Sequence, residues 1–398
     1  MIEFSENVAS LQPSATMAVS TRVKQLIAQG RDILDLCVGE PDFPTPAFVA
    51  EAGVRAIQQG RTRYTPAPGV PDLRAAIAQE LQRYAGEGQE IGAHGVVVTA
   101  GAKQALFNAC FCLFGPGDRV IIPVPYWTTY PALVELARAE PVYVKGSVEN
   151  DFKVTPAELD RVYDGRVRGL MLNSPSNPSG AVYSHEELRA IAEWAKERKV
   201  WILSDEIYRR IYFKGQLAPG LLDLPPELTE RSVVIDGASK AFAMTGWRIG
   251  FTYTSRELAE KMSALQSQMT SNAATPSQYA ALAAYRADES QLQVVEEMRR
   301  TFERRRDLLV SEFGEKLPEV SYLRPEGAFY FWFNFRALAR EDESSIAFCE
   351  RLLNEAGVGL VPGAAFGDDD FVRMSFAYDD RTLREAVTRL ARLAQPVG

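Results

Sequence analysis

Histidine is nearly missing from these 398 residues, cysteine is scarce, and basic residues are outnumbered by acidic ones. With only His94 and His185, a histidine-rich metal site is not expected. The four cysteines, Cys37, Cys110, Cys112 and Cys349, form no C-x-x-C pair, and Cys110 and Cys112 fall in the apolar stretch NACFCLF. Their reading is as small hydrophobes of a reduced, cytoplasmic chain. The formal charge is −8, from 44 Lys and Arg against 52 Asp and Glu. Nucleic acid and anionic membrane are therefore poor partners, although a few buried arginines can still select a small anionic substrate. The opening MIEFSENVASLQ lacks a basic region followed by an apolar one, so no secretory signal is expected. No apolar run approaches the ~18 residues of a membrane span.

What is present is a large hydrophobic fraction, 46%, against 24% charged residues. At this length that composition implies a globular chain of two domains. From residue 96 onward, short β-rich runs alternate with helical patterns: Val96–Thr99, Arg119–Val124, Gly169–Asn173, Val200–Ser204, Ser232–Asp236 and Gly250–Tyr253. Most are apolar on both alternating faces, as in a sheet covered on both sides. Between them Ser184 and Glu187 form a capping box, followed by Leu188, Ile191 and Trp194 at helical spacing. Leu73, Ile77, Leu81 and Tyr84 make a similar stripe over 72–84. Beyond about residue 290 a charged helical stretch leads into the run Phe329–Phe335, a helix near 343–356, a strand near 358–361 and the run Val372–Phe376. The expected architecture is α/β, a large domain over 48–295 with a mainly parallel sheet sandwiched by helices. A smaller α+β domain is built from 1–47 and 296–398.

In open α/β sheets ligands bind beyond the carboxyl ends of the strands. The residues found there are Ala100-Gly101-Ala102-Lys103, Ser174-Pro175-Ser176-Asn177-Pro178, Asp205-Glu206-Ile207-Tyr208 and Gly237-Ala238-Ser239-Lys240. Singly, each has a plain explanation: a helix start, a turn, a cap, a solvated lysine. Together they bring glycines, an amide, a carboxylate, a phenol, a hydroxyl and an amine to one edge.

These residues resemble the fold-type I, class I aminotransferases. GASKAFAMTGWRIG (237–250) matches the Schiff-base segment of that family, with Lys240 and Arg248 eight positions apart. GEPDFPTP (39–46), RYTPAPGVPDLR (63–74), SPSNPSG (174–180), SDEIY (204–208) and RMSFA (373–377) match further segments in family order. PSAT (13–16), GAKQALFN (101–108) and PYW (125–127) are similar to the bacterial aspartate aminotransferase subgroup.

The resemblance implies pyridoxal 5'-phosphate as cofactor, with Lys240 as its Schiff-base lysine and proton carrier. Asp205 would face the pyridine nitrogen, Tyr208 and Asn177 the ring oxygen, and Trp127 the ring face. The amides of Gly101, Ala102 and Lys103, with Ser239 and Arg248, would hold the phosphate. Tyr64 would reach the phosphate of a neighbouring subunit, which implies a homodimer with shared sites. Arg373, assisted by Asn177, Trp127 and the Gly39 backbone, would take the substrate α-carboxylate.

For a distal carboxylate the segment SQMTSNAATPSQ (267–278) offers no cation. Lys103, Ser14 and Thr16 are the subgroup's features for that task. Some relatives support the aspartate with a histidine; in TTYPAL (128–133) the available group is Tyr130. The implied activity is aspartate:2-oxoglutarate transamination. Prephenate or aromatic aminotransferase, a PLP β-lyase and a non-catalytic regulator remain as alternatives.

Overall fold

The computed structural model describes residues 4–9, 11 and 15–394. Its centre is a seven-stranded sheet in the order Val96–Thr99, Gly250–Tyr253, Ser232–Gly237, Trp201–Asp205, Val167–Asn173, Arg119–Val124, Glu140–Lys145. Gly250–Tyr253 runs antiparallel to both its neighbours, and every other adjacent pair is parallel. Side chains two apart along each strand enter the same core, as the pleat demands. Val96, Val98, Leu170, Leu172, Ile202 and Val234 pack on one face. Val97, Met171, Leu203, Val233 and Ile235 pack on the other. Burial on both faces is what removes alternation from the sequence.

Helix His185–Arg198 starts as its cap dictates: Glu187 N–H donates to Ser184 Oγ at 3.2 Å, and Ser184 N–H donates to Glu187 Oε2 at 2.8 Å. Leu188, Ile191 and Trp194 are buried. The stripe over 72–84 is helix Pro71–Gln82, where Pro71 occupies the first turn and needs no N–H acceptor. Tyr84 lies two residues past its end and is half-buried.

The charged stretch is the 28-residue helix Glu289–Lys316, capped by Asp288. It buries Phe302, Leu309 and Phe313 against an antiparallel four-stranded sheet, Val361–Pro362, Phe371–Ser375, Tyr330–Asn334, Tyr322–Leu323. The short strand Leu34–Asp35 pairs in parallel with Val358–Gly359, tying the N-terminal segment to this second layer. Cys37, Cys110 and Cys349 are buried thiols and Cys112 is half-buried. Among the described residues no helix is long and apolar enough to cross a membrane, and no cluster of three metal-ligating side chains occurs.

Candidate active site

Parallel strands deliver their following residues to one edge, and there a cleft of about 360 Å³ opens between the large sheet and the four-stranded one. Gly39, Ala102, Lys103, Trp127, Asn177, Asp205, Tyr208, Ser239, Lys240, Arg248 and Arg373 all line it.

Lys240 sits in the turn after strand Ser232–Gly237 and donates from Nζ to the Gly39 carbonyl at 2.5 Å. Burial lowers its amine to about 8; Arg373 and Arg248 repel the charge further, while Glu40 and Asp205 oppose the shift. An amine near 8 is partly neutral at physiological pH and so able to act as nucleophile or base.

Asp205 ends strand Trp201–Asp205 and is 4% exposed. Burial raises its carboxyl to about 6, against hydrogen bonds from Tyr130 Oη (2.8 Å to Oδ2) and the Ile207 N–H (3.3 Å to Oδ1). The tyrosine in TTYPAL is thus the side chain that supports this carboxylate. Its ring meets Trp127 edge-on, with centroids 5.5 Å apart.

Gly101 holds φ +87°, a conformation that suits glycine, and a Cβ there would lie 2.4 Å from Arg248 Nη2. Arg248 is fixed by the carbonyls of Thr245 (2.9 Å) and Ala100 (3.2 Å), with its guanidinium against the bare α-carbon. The expected amide donors need one refinement. Gly101 N–H already donates to Thr99 O at 2.8 Å, so the unengaged amides opening helix Ala102–Leu113 are those of Ala102 and Lys103. Gly101 contributes its backbone shape. Free amides, the Ser239 hydroxyl and a guanidinium together make a donor set suited to a phosphate dianion.

Arg373, 3% exposed, donates from Nη1 to Asn177 Oδ1 at 2.9 Å and from Nη2 to Cys37 O at 2.7 Å, while its Nε has no partner. A buried guanidinium with an unmet donor is ready for an incoming carboxylate. Lys103 Nζ stands 5.0 Å from the Trp127 ring centroid, and burial with Arg248 lowers its amine from the ordinary value.

Of the expected residues, Tyr64 does not line this cleft. Tyr64 is 90% exposed. Ser14 lies outside the described residues, and Thr16 is described only as part of helix Ala15–Ala28. Three others enter unannounced. Asn173 donates to Asp205 O at 2.9 Å and accepts from Asn177 N–H at 2.8 Å, setting the loop that carries Asn177. Tyr330 and Ser20 also line the cleft. The helical continuation after PSAT was the available signal for Ser20.

A mainly parallel sheet with a buried lysine at its carboxyl edge is that of a pyridoxal-phosphate-dependent transferase of fold type I. The chain belongs to the aminotransferase class I and II family, whose model matches residues 31–390. It is similar to an aspartate aminotransferase of Geobacillus stearothermophilus, 40% identical over 396 residues, 99% of each chain. An aspartate/prephenate aminotransferase of Cereibacter sphaeroides is 40% identical over 401 residues, 98% of each. Among solved structures, Thermus thermophilus aspartate aminotransferase with maleate superposes with a TM-score of 0.92 at 39% identity. The match covers 99% of this chain and 100% of that one.

Proposed function

We propose that this aminotransferase exchanges the amino group of L-aspartate for the oxo group of 2-oxoglutarate, giving oxaloacetate and L-glutamate in a ping-pong cycle. The observation that carries the reading is the buried amine of Lys240, lowered to about 8, in one cleft with Asp205 and the incompletely partnered Arg373. Bound pyridoxal phosphate supplies an electron sink for charge developing at the substrate α-carbon.

The chain's residues do the rest. Ala102 and Lys103 amides, Ser239 and Arg248 hold the phosphate. Asp205 keeps the ring nitrogen protonated, Tyr208 and Asn177 address the ring oxygen, and Trp127 covers a face. Lys240 carries the cofactor and, once released, moves a proton at the substrate α-carbon. Arg373 grips the α-carboxylate, fixing the bond to be broken. Lys103 serves the distal carboxylate, a role supported by the Thermus relative solved with the four-carbon dicarboxylate maleate.

We further read the chain as a large domain over 48–295 and a small one over 1–47 and 296–398. The pairing of Leu34–Asp35 with Val358–Gly359 supports that division. The exposed Tyr64 fits a homodimer in which it completes the partner's site. Four free thiols suit a reducing, cytoplasmic setting.

Borohydride treatment of the yellow holoenzyme followed by peptide mass spectrometry tests the core of the reading, with the reduced adduct expected on Lys240. An adduct on another lysine refutes it. Relatives named for both aspartate and prephenate make prephenate the second reading. A panel of amino donors and 2-oxo acids separates the two, and pyruvate release would reveal a β-lyase.

A further inference from the structure

We infer that Tyr330 is a positioning residue that orients the hydroxyl proton of Tyr208 and braces the guanidinium of Arg373. The inference rests on the reading of Lys240 and Tyr208 given above.

Strand Tyr330–Asn334 pairs with Phe371–Ser375 in a register that sets Trp332 opposite Arg373 and Tyr330 opposite Ser375. Tyr330 is thereby the diagonal neighbour of Arg373 on the same sheet face, within reach of a long side chain. The guanidinium carbon lies 4.4 Å from the Tyr330 ring centroid. That is close cation–π geometry in a buried setting.

At its other end, the Tyr330 hydroxyl lies 2.7 Å from the Tyr208 hydroxyl. A Cβ on Gly39 would come within 2.5 Å of that same Tyr330 oxygen, and the Gly39 carbonyl accepts from Lys240. One phenol therefore touches the group that addresses the cofactor's ring oxygen, the group that addresses the α-carboxylate, and the backbone that holds the lysine.

The direction of the shared hydrogen bond follows from proton counting. Burial raises both phenols above the ordinary tyrosine value, so both keep their single proton. If Tyr208 spends its proton on the cofactor, the bond between the two phenols is donated by Tyr330 and accepted by Tyr208. Accepting that bond also makes the Tyr208 hydroxyl a better donor. A donor on the ring oxygen weakens that oxygen's hold on the neighbouring nitrogen's proton, which lowers the pH at which the bound cofactor changes colour.

The test is a pH titration of visible absorbance on the holoenzyme. Tyr330→Phe keeps the ring and removes the hydroxyl. The colour midpoint should rise by about half to one pH unit, the scale of one neutral hydrogen bond. The KM for amino donors should stay within about twofold, because the ring still braces Arg373. Tyr330→Leu should raise the midpoint equally and raise KM for acidic and neutral donors alike.

In a Tyr208→Phe background, adding Tyr330→Phe should leave the midpoint where Tyr208→Phe alone puts it, since one residue acts through the other. A 3-fluorotyrosine at 330, a stronger donor, should move the midpoint downward, a sign that packing damage would not produce. An unmoved midpoint in Tyr330→Phe, or additive shifts in the double variant, overturns the inference. A parent enzyme without a visible band, or with its reduced adduct elsewhere than Lys240, refutes the underlying reading instead.

Discussion

The hydroxyl of Tyr130 donates to Asp205 Oδ2 at 2.8 Å, and both groups are buried. The tyrosine opens helix Tyr130–Leu136, three residues past the end of the PYW segment, so one short loop carries both Trp127, proposed to cover the cofactor ring, and the support for the Asp205 carboxylate. Tyr130→Phe keeps the ring but removes one of the two hydrogen bonds holding the Asp205 carboxyl down. Its pKa then rises further, and the ionised form is lost at a higher pH. The acid limb of the pH–rate profile should move upward. Losing a hydrogen bond to a charged group costs about 1.5–3 kcal/mol, or roughly ten- to a hundred-fold in kcat. An unshifted acid limb would mean the bond serves packing alone.

The lowered amine of Lys240 has its own pH signature. Only the neutral amine attacks a carbonyl, and burial brings its midpoint to about 8 in the cofactor-free protein. Stopped-flow uptake of pyridoxal phosphate should accelerate about tenfold per pH unit on the acid side and level off near that midpoint. A solvated lysine would keep accelerating toward about 10.4.

Lys103→Ser removes the cation proposed for the distal carboxylate. kcat/KM for aspartate should fall roughly ten- to a hundred-fold, the kinetic equivalent of one lost charged hydrogen bond. Phenylalanine should change little or improve, and cofactor affinity should hold, because Ser239, Arg248 and the amides remain. Parallel losses with both donors would make Lys103 a phosphate or structural residue.

Tyr64 tests the proposed dimer. Subunits carrying Tyr64→Phe and subunits carrying Lys240→Ala should complement when mixed, because one hybrid site then pairs an intact lysine with an intact tyrosine. Mixed dimers without recovered activity would show that each site is built from one chain.

Much of the cleft was legible because parallel strands end at one edge. Gly101, Asn177, Asp205 and Lys240 each follow an apolar run, and the edge rule gathers them without knowledge of strand order. Direction was not legible. Gly250–Tyr253 is as apolar as its neighbours, yet it is the one reversed strand of the sheet. The outer strand Glu140–Lys145 escaped notice because EPVYVK alternates exposed and buried positions and begins and ends in charge. Tyr330 was hidden for another reason. AFYFWFN reads as plain core, and only the register against Phe371–Ser375 distinguishes one aromatic from the next. The amide of Gly101 likewise required coordinates, since a turn that engages its N–H and one that frees it have the same sequence.

The reversed strand also sets a timetable. During synthesis Val96–Thr99 leaves the ribosome about 150 residues before Gly250–Tyr253, its only partner in the sheet. For that interval VVVT is an unpaired apolar edge, the kind of segment that recruits other chains. The helix that follows it, Ala102–Leu113, offers Ala105, Leu106 and Ala109 as early cover. The residues proposed to hold the phosphate therefore open the helix that packs over this strand, and changes there should lower soluble yield as well as turnover.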